Sequence, residues 1–587
     1  MASMLIRLRL GNFKAFADPQ QLPIRPLTLI FGANSSGKSS LIHGFLLARH
    51  AMETGELDIH RTVIGGEAVD LGGFRQYVHR REPARRFEWA GEIDVALLQG
   101  RLAELLASVH RATVSLRVGI ELGDQGEPLQ EAIPVVMSYE IEADGASILR
   151  MSRRRDGHLQ LDRLDHEHPV FRGVIRAIVE TATTTEALTA TDFEGLDDAI
   201  AALVPEITVH VEKFLPIGLV RSEHPVGGTD QPTLFPISRG RRKEDLAAAV
   251  SFFLPRTLDE LIRGLNDAVA RELSRLRYLG PLRSYPPRHL AFSQHHDPNW
   301  FAGGGYAWEV VRRDESVRAA VNAWLGSEKR LQTSYELVVR DLVPDRVIAK
   351  ELSPKIAKAL HDMVCDLLRP ASAIGDEHQS LDLWAAELSE ELERVTPEEI
   401  LPEIEGIISN LVDSDMAAEQ WTRELARASV DQLRDLVLID KRTNTPVSHR
   451  DIGIGISQVL PVLVSAYASA QKILAIEQPE IHLHPALQAE LGDVFIESAL
   501  GGRGNTFILE THSEHLILRI MRRMRDTVQG TLPDGLPPVH PEDVAILYVQ
   551  PRDSAAVVRL LELDEEGELL DPWPGGFFEE GFRERFT

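Results

Sequence analysis

The sequence predicts an α/β protein: one sheet assembled from the two ends of the chain, split by a large, mainly helical insert and joined by an antiparallel β subdomain. Three observations carry this. Near the N-terminus an apolar strand-like run, Leu27 to Phe31, passes through a glycine-rich turn into a helical pattern. Beyond residue 436, short apolar runs alternate with helical patterns, as a parallel or mixed sheet requires. Between about 166 and 435 helical periodicity dominates. The boundaries that follow are 1–165 for the first half with the β subdomain, 166–435 for the insert, 436–545 for the second half and 546–587 for a short tail.

In chain order, strands are expected near 4–14 and 24–31. Phe87–Leu98, Ala112–Leu122, Ile133–Ile141 and Ala146–Met151 are short strand-like runs, with Gly123-Asp124-Gln125-Gly126 as a turn among them. They predict the antiparallel subdomain. His166 to Arg275 reads as mostly helical, broken by the Pro/Gly-rich stretch Pro225–Pro236. Tyr278-Leu279-Gly280-Pro281 reads as a strand returning to the sheet near 278–285. Tyr306 to Leu436 is helical again, with acidic runs such as Glu387–Glu393. It carries no sustained heptads, which argues against a long coiled-coil arm. No internal repeat is visible. Leu436–Ile439, Ile473–Ile476 and Phe507–Leu509 are the strand candidates of the second half.

The 587 residues suffice for about three to four domain-sized units. A single cysteine, Cys365, rules out an internal disulfide framework and a cysteine-cluster metal site. No apolar run is long enough to span a bilayer, and the start, MASMLIRLRLGNF, alternates apolar and basic residues like a strand rather than a signal peptide. A soluble cytoplasmic protein is the expectation. The formal charge of −26 argues against coating nucleic acid over the whole surface. It leaves room for a local basic groove, for which Arg80, Arg81, Arg85 and Arg86, Arg153 to Arg155, Arg239 to Lys243 and Arg519 to Arg525 are candidates. The simpler reading of each is a solvated run, and Arg519, Arg522 and Arg523 fall on one side of an amphipathic surface helix.

The most specific motif is GANSSGKS, Gly32 to Ser39, of the form G-x-x-x-x-G-K-[ST]. Its strand–loop–helix context turns a pattern into a mechanism. Gly32 and Gly37 let the backbone wrap so that its N–H groups face phosphate oxygens. The helix start adds positive partial charge. Lys38 would reach the β- and γ-phosphates, and Ser39 would offer its hydroxyl to Mg²⁺.

Three weaker motifs follow in order. DIGIGISQ, Asp451 to Gln458, is a glycine-rich turn ending in serine at a helix start. Ile473 to Glu477 is an apolar strand ending in a carboxylate suited to Mg²⁺, continuing through Gln478-Pro479-Glu480-Ile481-His482-Leu483-His484-Pro485. Leu509-Glu510-Thr511-His512-Ser513 is a strand ending in a histidine able to meet a γ-phosphate.

Together, GANSSGKS, DIGIGISQ, AIEQPEIHLHP and ETHSEH resemble the ATPase domain of the ABC/SMC/RecF superfamily. More narrowly the chain is similar to OLD-like ATPases without a nuclease domain, and to the ATPase subunit of Septu-type anti-phage systems. The pattern Leu561–Phe582, with WPGGFFEEGF, looks like a tail domain of that group. The match covers about residues 1–80, 278–288 and 436–587. It implies an ABC-type ATPase head binding ATP and Mg²⁺, with two heads facing each other around the nucleotides. On that reading Gly32, Asn34, Ser35, Gly37, Lys38, Ser39 and Ser40 hold phosphates and metal in cis. Gly455, Ser457 and Gln458 contact γ-phosphate in trans. Glu477 sits on the metal side, His482 to Pro485 at the inter-subunit turn, and His512 is the switch histidine. Gln76 is assigned to the metal-contacting Q-loop. The resemblance further implies self-assembly as a dimer or higher oligomer and an HNH-type nuclease partner in trans. The alternative is a RecF-like ATPase clamping DNA.

One position departs from the superfamily. The residue after the metal-side carboxylate is ordinarily a glutamate that activates the attacking water; here it is Gln478. An amide cannot accept the proton, and general-base help is worth roughly 10²–10⁴-fold. Slow hydrolysis is expected unless Glu480 substitutes.

Overall fold

The computed structural model describes residues 3–123, 133–182, 190–211, 213–220, 242–283, 299–327, 333–342, 433–447 and 454–574. The Pro225–Pro236 stretch, the acidic run Glu387–Glu393, Asp451 to Gly453 and the end of the tail fall outside these residues.

Two sheets organise the molecule. The first is antiparallel and nine-stranded, in the order β10-β9-β8-β7-β6-β5-β4-β1-β2. Its strands are β1 (Leu5–Gly11), β2 (Gln20–Pro23), β4 (Phe87–Asp94), β5 (Arg111–Gly119), β6 (Val135–Ala143), β7 (Ala146–Arg153), β8 (Leu159–Leu164), β9 (Thr208–Val209) and β10 (Leu219–Val220). Alternation fixes which face is buried. In β1, Leu8 and Leu10 point into the core, while Arg7 and Arg9 reach Glu92 and Glu142 on the other face. The helix Arg242–Ser274 packs with the apolar face. Its Leu254, Leu258, Leu261, Ile262, Leu265 and Val269 are fully buried in one cluster with Trp89, Val114 and Tyr139. The Tyr139 hydroxyl donates to Asn266 of that helix at 2.8 Å. This helix belongs by sequence to the insert, yet it completes the core of the N-terminal sheet.

The second sheet runs β11-β15-β16-β3-β17-β18. It comprises β3 (Leu27–Gly32), β11 (Leu276–Leu279), β15 (Ile473–Glu477), β16 (Thr506–Glu510), β17 (Val544–Arg552) and β18 (Ala555–Leu561). All pairings are parallel except β17 with β18. A parallel sheet is buried on both faces, and the side chains divide accordingly. Ile30, Ile473, Ala475, Ile508, Leu547 and Val549 join the core beneath the nine-stranded sheet. Leu27, Leu29, Phe31, Leu474, Ile476, Phe507 and Leu509 join a second core. Helices Ile454–Ala468, Pro485–Leu500 and Glu514–Gln529 supply the other side of that second core.

Three sequence expectations change here. Leu436–Ile439, read as part of the C-terminal half of the main sheet, lies in β13 (Leu433–Asp440). That strand pairs antiparallel with β12 (Tyr335–Leu342) and β14 (Thr445–Val447) in a separate three-stranded sheet. The boundary at 545/546 cuts β17, which runs parallel to β3 from Val544↔Leu27 to Val549↔Gly32, so the start of the tail is sheet. Two arginines of helix Glu514–Gln529, Arg519 and Arg523, are not part of a solvated face, while Arg522 and Arg525 are exposed. Arg523 is buried and binds both oxygens of Asp493, at 2.7 and 2.8 Å, and Arg519 binds Asp493 and Glu490. They fasten this helix to Pro485–Leu500 rather than offering a basic groove.

Candidate functional site

The carboxyl ends of β3, β15 and β16 lie side by side, the edge where open α/β sheets bind ligands. β3 ends at Gly32, whose φ of 148° is open to glycine alone, and a Cβ there would stand 2.3 Å from the Val549 carbonyl oxygen of β17. The neighbouring strand thus requires the first glycine of the loop. Gly37, at φ 104°, precedes helix Lys38–Thr54, and a Cβ there would meet the Ala15 side chain at 2.6 Å. Asn34 and Ser35 are exposed and Ser35 is left-handed, at φ 61°. Ser40 is buried. Ser36 is 3 % exposed and its hydroxyl has no partner among the described residues. A tight, glycine-dependent cradle with an unsatisfied buried hydroxyl fits a phosphate chain.

Lys38 is buried, its ammonium donating to the Gly32 and Ala33 carbonyls at 3.1 and 2.9 Å and standing 4.0 Å from Glu510. Burial lowers its pKa, offset by Glu510, Glu477 and Glu480. The Ser39 hydroxyl donates to Glu510 at 2.7 Å. Glu477, at the end of β15, stands in register with Glu510 at the end of β16. It accepts from the Tyr278 hydroxyl of β11 at 2.9 Å and lies 3.5 Å from His43 Nε2 on the phosphate-loop helix. His43 Nδ1 in turn meets Lys14 Nζ at 2.8 Å. Burial draws the Lys14 pKa down to about 8. Among the described residues no three His, Cys, Asp or Glu side chains form a metal cage. The hydroxyl of Ser39 with a carboxylate or two is instead the partial oxygen set that Mg²⁺ takes together with water and phosphate oxygens.

Gln478 turns the chain sharply, at φ 46°, and its N–H donates to the Glu510 carbonyl at 2.7 Å. Its side chain is half-buried. Glu480 is buried; one oxygen accepts the His512 N–H at 2.7 Å, the other has no partner among the described residues, and burial raises its pKa. Burial and then Lys38 lower the pKa of half-buried His512. Arg283, which the motifs did not point to, is buried and donates to the backbone carbonyls of Gln458, Glu477 and Gln478, each at 3.1 Å. Burial draws its pKa down to about 10.

Gly455 opens helix Ile454–Ala468 so close to the turn after β15 that a Cβ would stand 2.8 Å from the His482 carbonyl oxygen. Ser457 and Gln458 are buried at 3 % and 6 % exposure. The Gln458 amide donates to the Arg283 carbonyl at 3.1 Å, so within this chain it braces the site from behind. Gln76 sits in the short helix Phe74–Tyr77, exposed, with its side chain folded over Gly72. No described hydrogen bond or ion pair joins it to Glu477 or Ser39. Glu510, Tyr278, His43 and Arg283 are the site residues that sequence reasoning missed. For Glu510 the signal was present: an apolar strand ending in a carboxylate, the same pattern that picked out Glu477.

Burial, and next the neighbouring Glu477, push the Glu510 carboxyl up to about 7, above an unfolded value near ~4.3. Stability tied to its proton is fully present below the unfolded value and is lost as pH rises through about 7. Glu510→Gln, locked neutral, is therefore expected to melt several degrees higher than the parent at about pH 8 in EDTA, and to match it near pH 5. Parallel melting curves for the two proteins across that range would contradict this.

A family model described as "AAA domain, putative AbiEii toxin, Type IV TA system" matches residues 395–519, a span that includes Asp451 to Gln458, Glu477 and His512. The chain carries an AAA-type ATPase domain. A second model, "Protein of unknown function (DUF3696)", matches residues 539–584 and so covers β17, which lies beside the phosphate-loop strand β3, and β18, which pairs with β17 at the sheet's edge. No curated protein matches the chain. Among solved structures, the ATPase chain is similar to an Smc head bound to the C-winged helix domain of ScpA, at 9 % identity and TM-score 0.33, covering 96 % of this chain and 98 % of that one. It is likewise similar to the Smc head domain bound to the C-terminal domain of ScpA from Pyrococcus furiosus, at 10 % identity and TM-score 0.31, covering 95 % and 96 %. The SMC head domain from Thermotoga maritima gives 9 % identity and TM-score 0.30, covering 96 % and 100 %. The ABC-type ATPase fold follows from the chain's own sheet: the strand ending at Gly32 lies beside the strand that ends at Glu510 and leads to His512, with the Glu477 strand next to it. No helix among the described residues is long and apolar enough to cross a membrane.

Proposed function

We propose that the chain binds Mg²⁺–ATP at the edge formed by Gly32–Ser40, Glu477 and Glu510, hydrolyses it slowly, and uses the bound nucleotide to assemble with itself and to control a partner effector. The observation that carries the reading is the convergence of Lys38, Ser39, Glu477 and Glu510 from three adjacent parallel strands on one glycine-shaped loop. When bound, Mg²⁺ supplies charge neutralisation of the phosphates; Ser39 and Glu477 would hold it. Lys38 already stands among acceptors, so shifting its ammonium from two loop carbonyls to phosphate oxygens exchanges neutral acceptors for charged ones. The amide of Gln478 orients a water but takes no proton from it.

Assembly through the nucleotide is the reading that the glycine-turn motif supports, and Gly455 lies against the His482 carbonyl at the turn after β15. With Gln458 committed to Arg283, the contact offered to a facing copy narrows to the start of this helix. The two ScpA complexes among the similar structures concern SMC heads and are too distant to carry a partner across. The nuclease partner and the anti-phage role rest on the sequence motifs alone.

The test is steady-state ATP hydrolysis and nucleotide retention by the purified chain, with and without duplex DNA. Retained ATP, turnover far below one per second and no DNA effect are expected. Brisk, DNA-stimulated turnover whose affinity falls steeply with salt would replace this reading with a DNA clamp.

A further inference from the structure

The strand of Glu477 ends on a single carboxylate, because the next residue, Gln478, bears no charge. Glu510 ends the adjacent strand at the register position opposite Glu477. Its Oε2 accepts the hydroxyl proton of Ser39 at 2.7 Å, and its Oε1 lies 4.0 Å from the Lys38 ammonium. Its side chain is 7 % exposed. Glu477 is held at Oε1 by Tyr278 and His43, so both carboxylates are fixed by other side chains before any ligand arrives. The same loop holds the buried, unpartnered hydroxyl of Ser36, 2.9 Å from the point where a Gly32 Cβ would stand, which is an independent sign that this pocket is built around a ligand.

We propose that Glu510 is a direct ligand of the divalent cation, making with Glu477 and Ser39 a two-carboxylate, one-hydroxyl seat for Mg²⁺ or Mn²⁺. The inference rests on the ATP-binding reading and deepens it. A hard cation favours an all-oxygen set, and a second fixed carboxylate raises its affinity. The charge lost at Gln478 is thereby restored at the metal but not at the position of the attacking water. The chain keeps its cation while its hydrolysis stays slow.

The experiment titrates Mn²⁺ by electron paramagnetic resonance into the full-length parent, Glu510→Gln and Glu510→Asp, each with a non-hydrolysable ATP analogue. Analogue binding is measured separately in EDTA, and thermal melts confirm that each variant folds. Expected are a loss of Mn²⁺ affinity in Glu510→Gln well beyond the roughly 10–100-fold that removal of a merely supporting group costs, and a smaller loss in Glu510→Asp; a Glu510→Gln loss confined to that range marks Glu510 as a supporting group and overturns the inference. Analogue affinity in EDTA should change far less than Mn²⁺ affinity in both variants, which separates the metal from the phosphate loop. Unchanged Mn²⁺ affinity in Glu510→Gln, with the analogue still bound, overturns the inference and leaves the ATP-binding reading intact. Failure of the parent to bind the analogue at all removes that reading, and the inference with it. If Glu510→Gln does not fold, Glu510→Asp decides: Mn²⁺ affinity equal to the parent's overturns the inference.

Discussion

Lys38→Ala is expected to weaken nucleotide binding by about 10–100-fold, the scale of losing one or two charge-assisted hydrogen bonds. Hydrolysis should fall by roughly 10²–10³-fold, since the same ammonium faces the charge that develops on the transferred phosphoryl group. The residue is 4 % exposed and stands among the carboxylates of Glu477, Glu480 and Glu510, so its loss also removes one of the cations beside that cluster. Fluorescent ATP binding and phosphate release, measured on a variant whose melting temperature shows it folded, check the result. Parent-like binding would mean that the loop closes on something other than a nucleotide.

Gln478→Glu carries the second large expectation. Restoring a carboxylate at the turn after Glu477 should raise turnover by about 10²-fold or more, with little change in the concentration of ATP needed for half-saturation. The backbone there is already fixed by Glu510 and Arg283, so the new side chain inherits the position rather than creating it. The competing account makes Glu480 the base. Burial raises its pKa, and one of its oxygens is unpartnered among the described residues. Glu480→Gln separates the two. If Glu480 is the base, the residual turnover of the parent disappears and Gln478→Glu alone changes little. If Gln478 marks the missing base, Gln478→Glu accelerates and Glu480→Gln has a modest effect.

The parts of the site legible in the sequence are those whose chemistry is local. Gly32 and Gly37 announce themselves because a phosphate loop needs its glycines at fixed spacing, and Glu477 because it ends an apolar strand. The α/β class follows from the alternation of short apolar runs with helical patterns. Contacts between distant residues stay hidden. Ser39 meets Glu510 across 471 residues, Tyr278 meets Glu477 across 199, and Arg283 reaches Gln458 across 175. A pattern within a short window holds no trace of such pairs. The arginines of helix Glu514–Gln529 misled for the same reason. Spacing shows that Arg519 and Arg523 share a face but not that Asp493 lies opposite them. The β13 strand misled because an apolar run specifies a strand without specifying its sheet.

The place of β3 between β16 and β17 has a consequence for how the protein comes into being. Leu27 pairs with Phe507 on one side and Val544 on the other. A ribosome adding about 5–20 residues per second needs roughly half a minute to a minute and a half to reach those partners. During that interval the nascent phosphate-loop strand has neither neighbour, and its apolar residues must be sheltered by a chaperone or by the early-made antiparallel sheet. Val549, whose carbonyl lies against Gly32, is later still. The cradle around Gly32 is therefore complete only in chains synthesised through Val549.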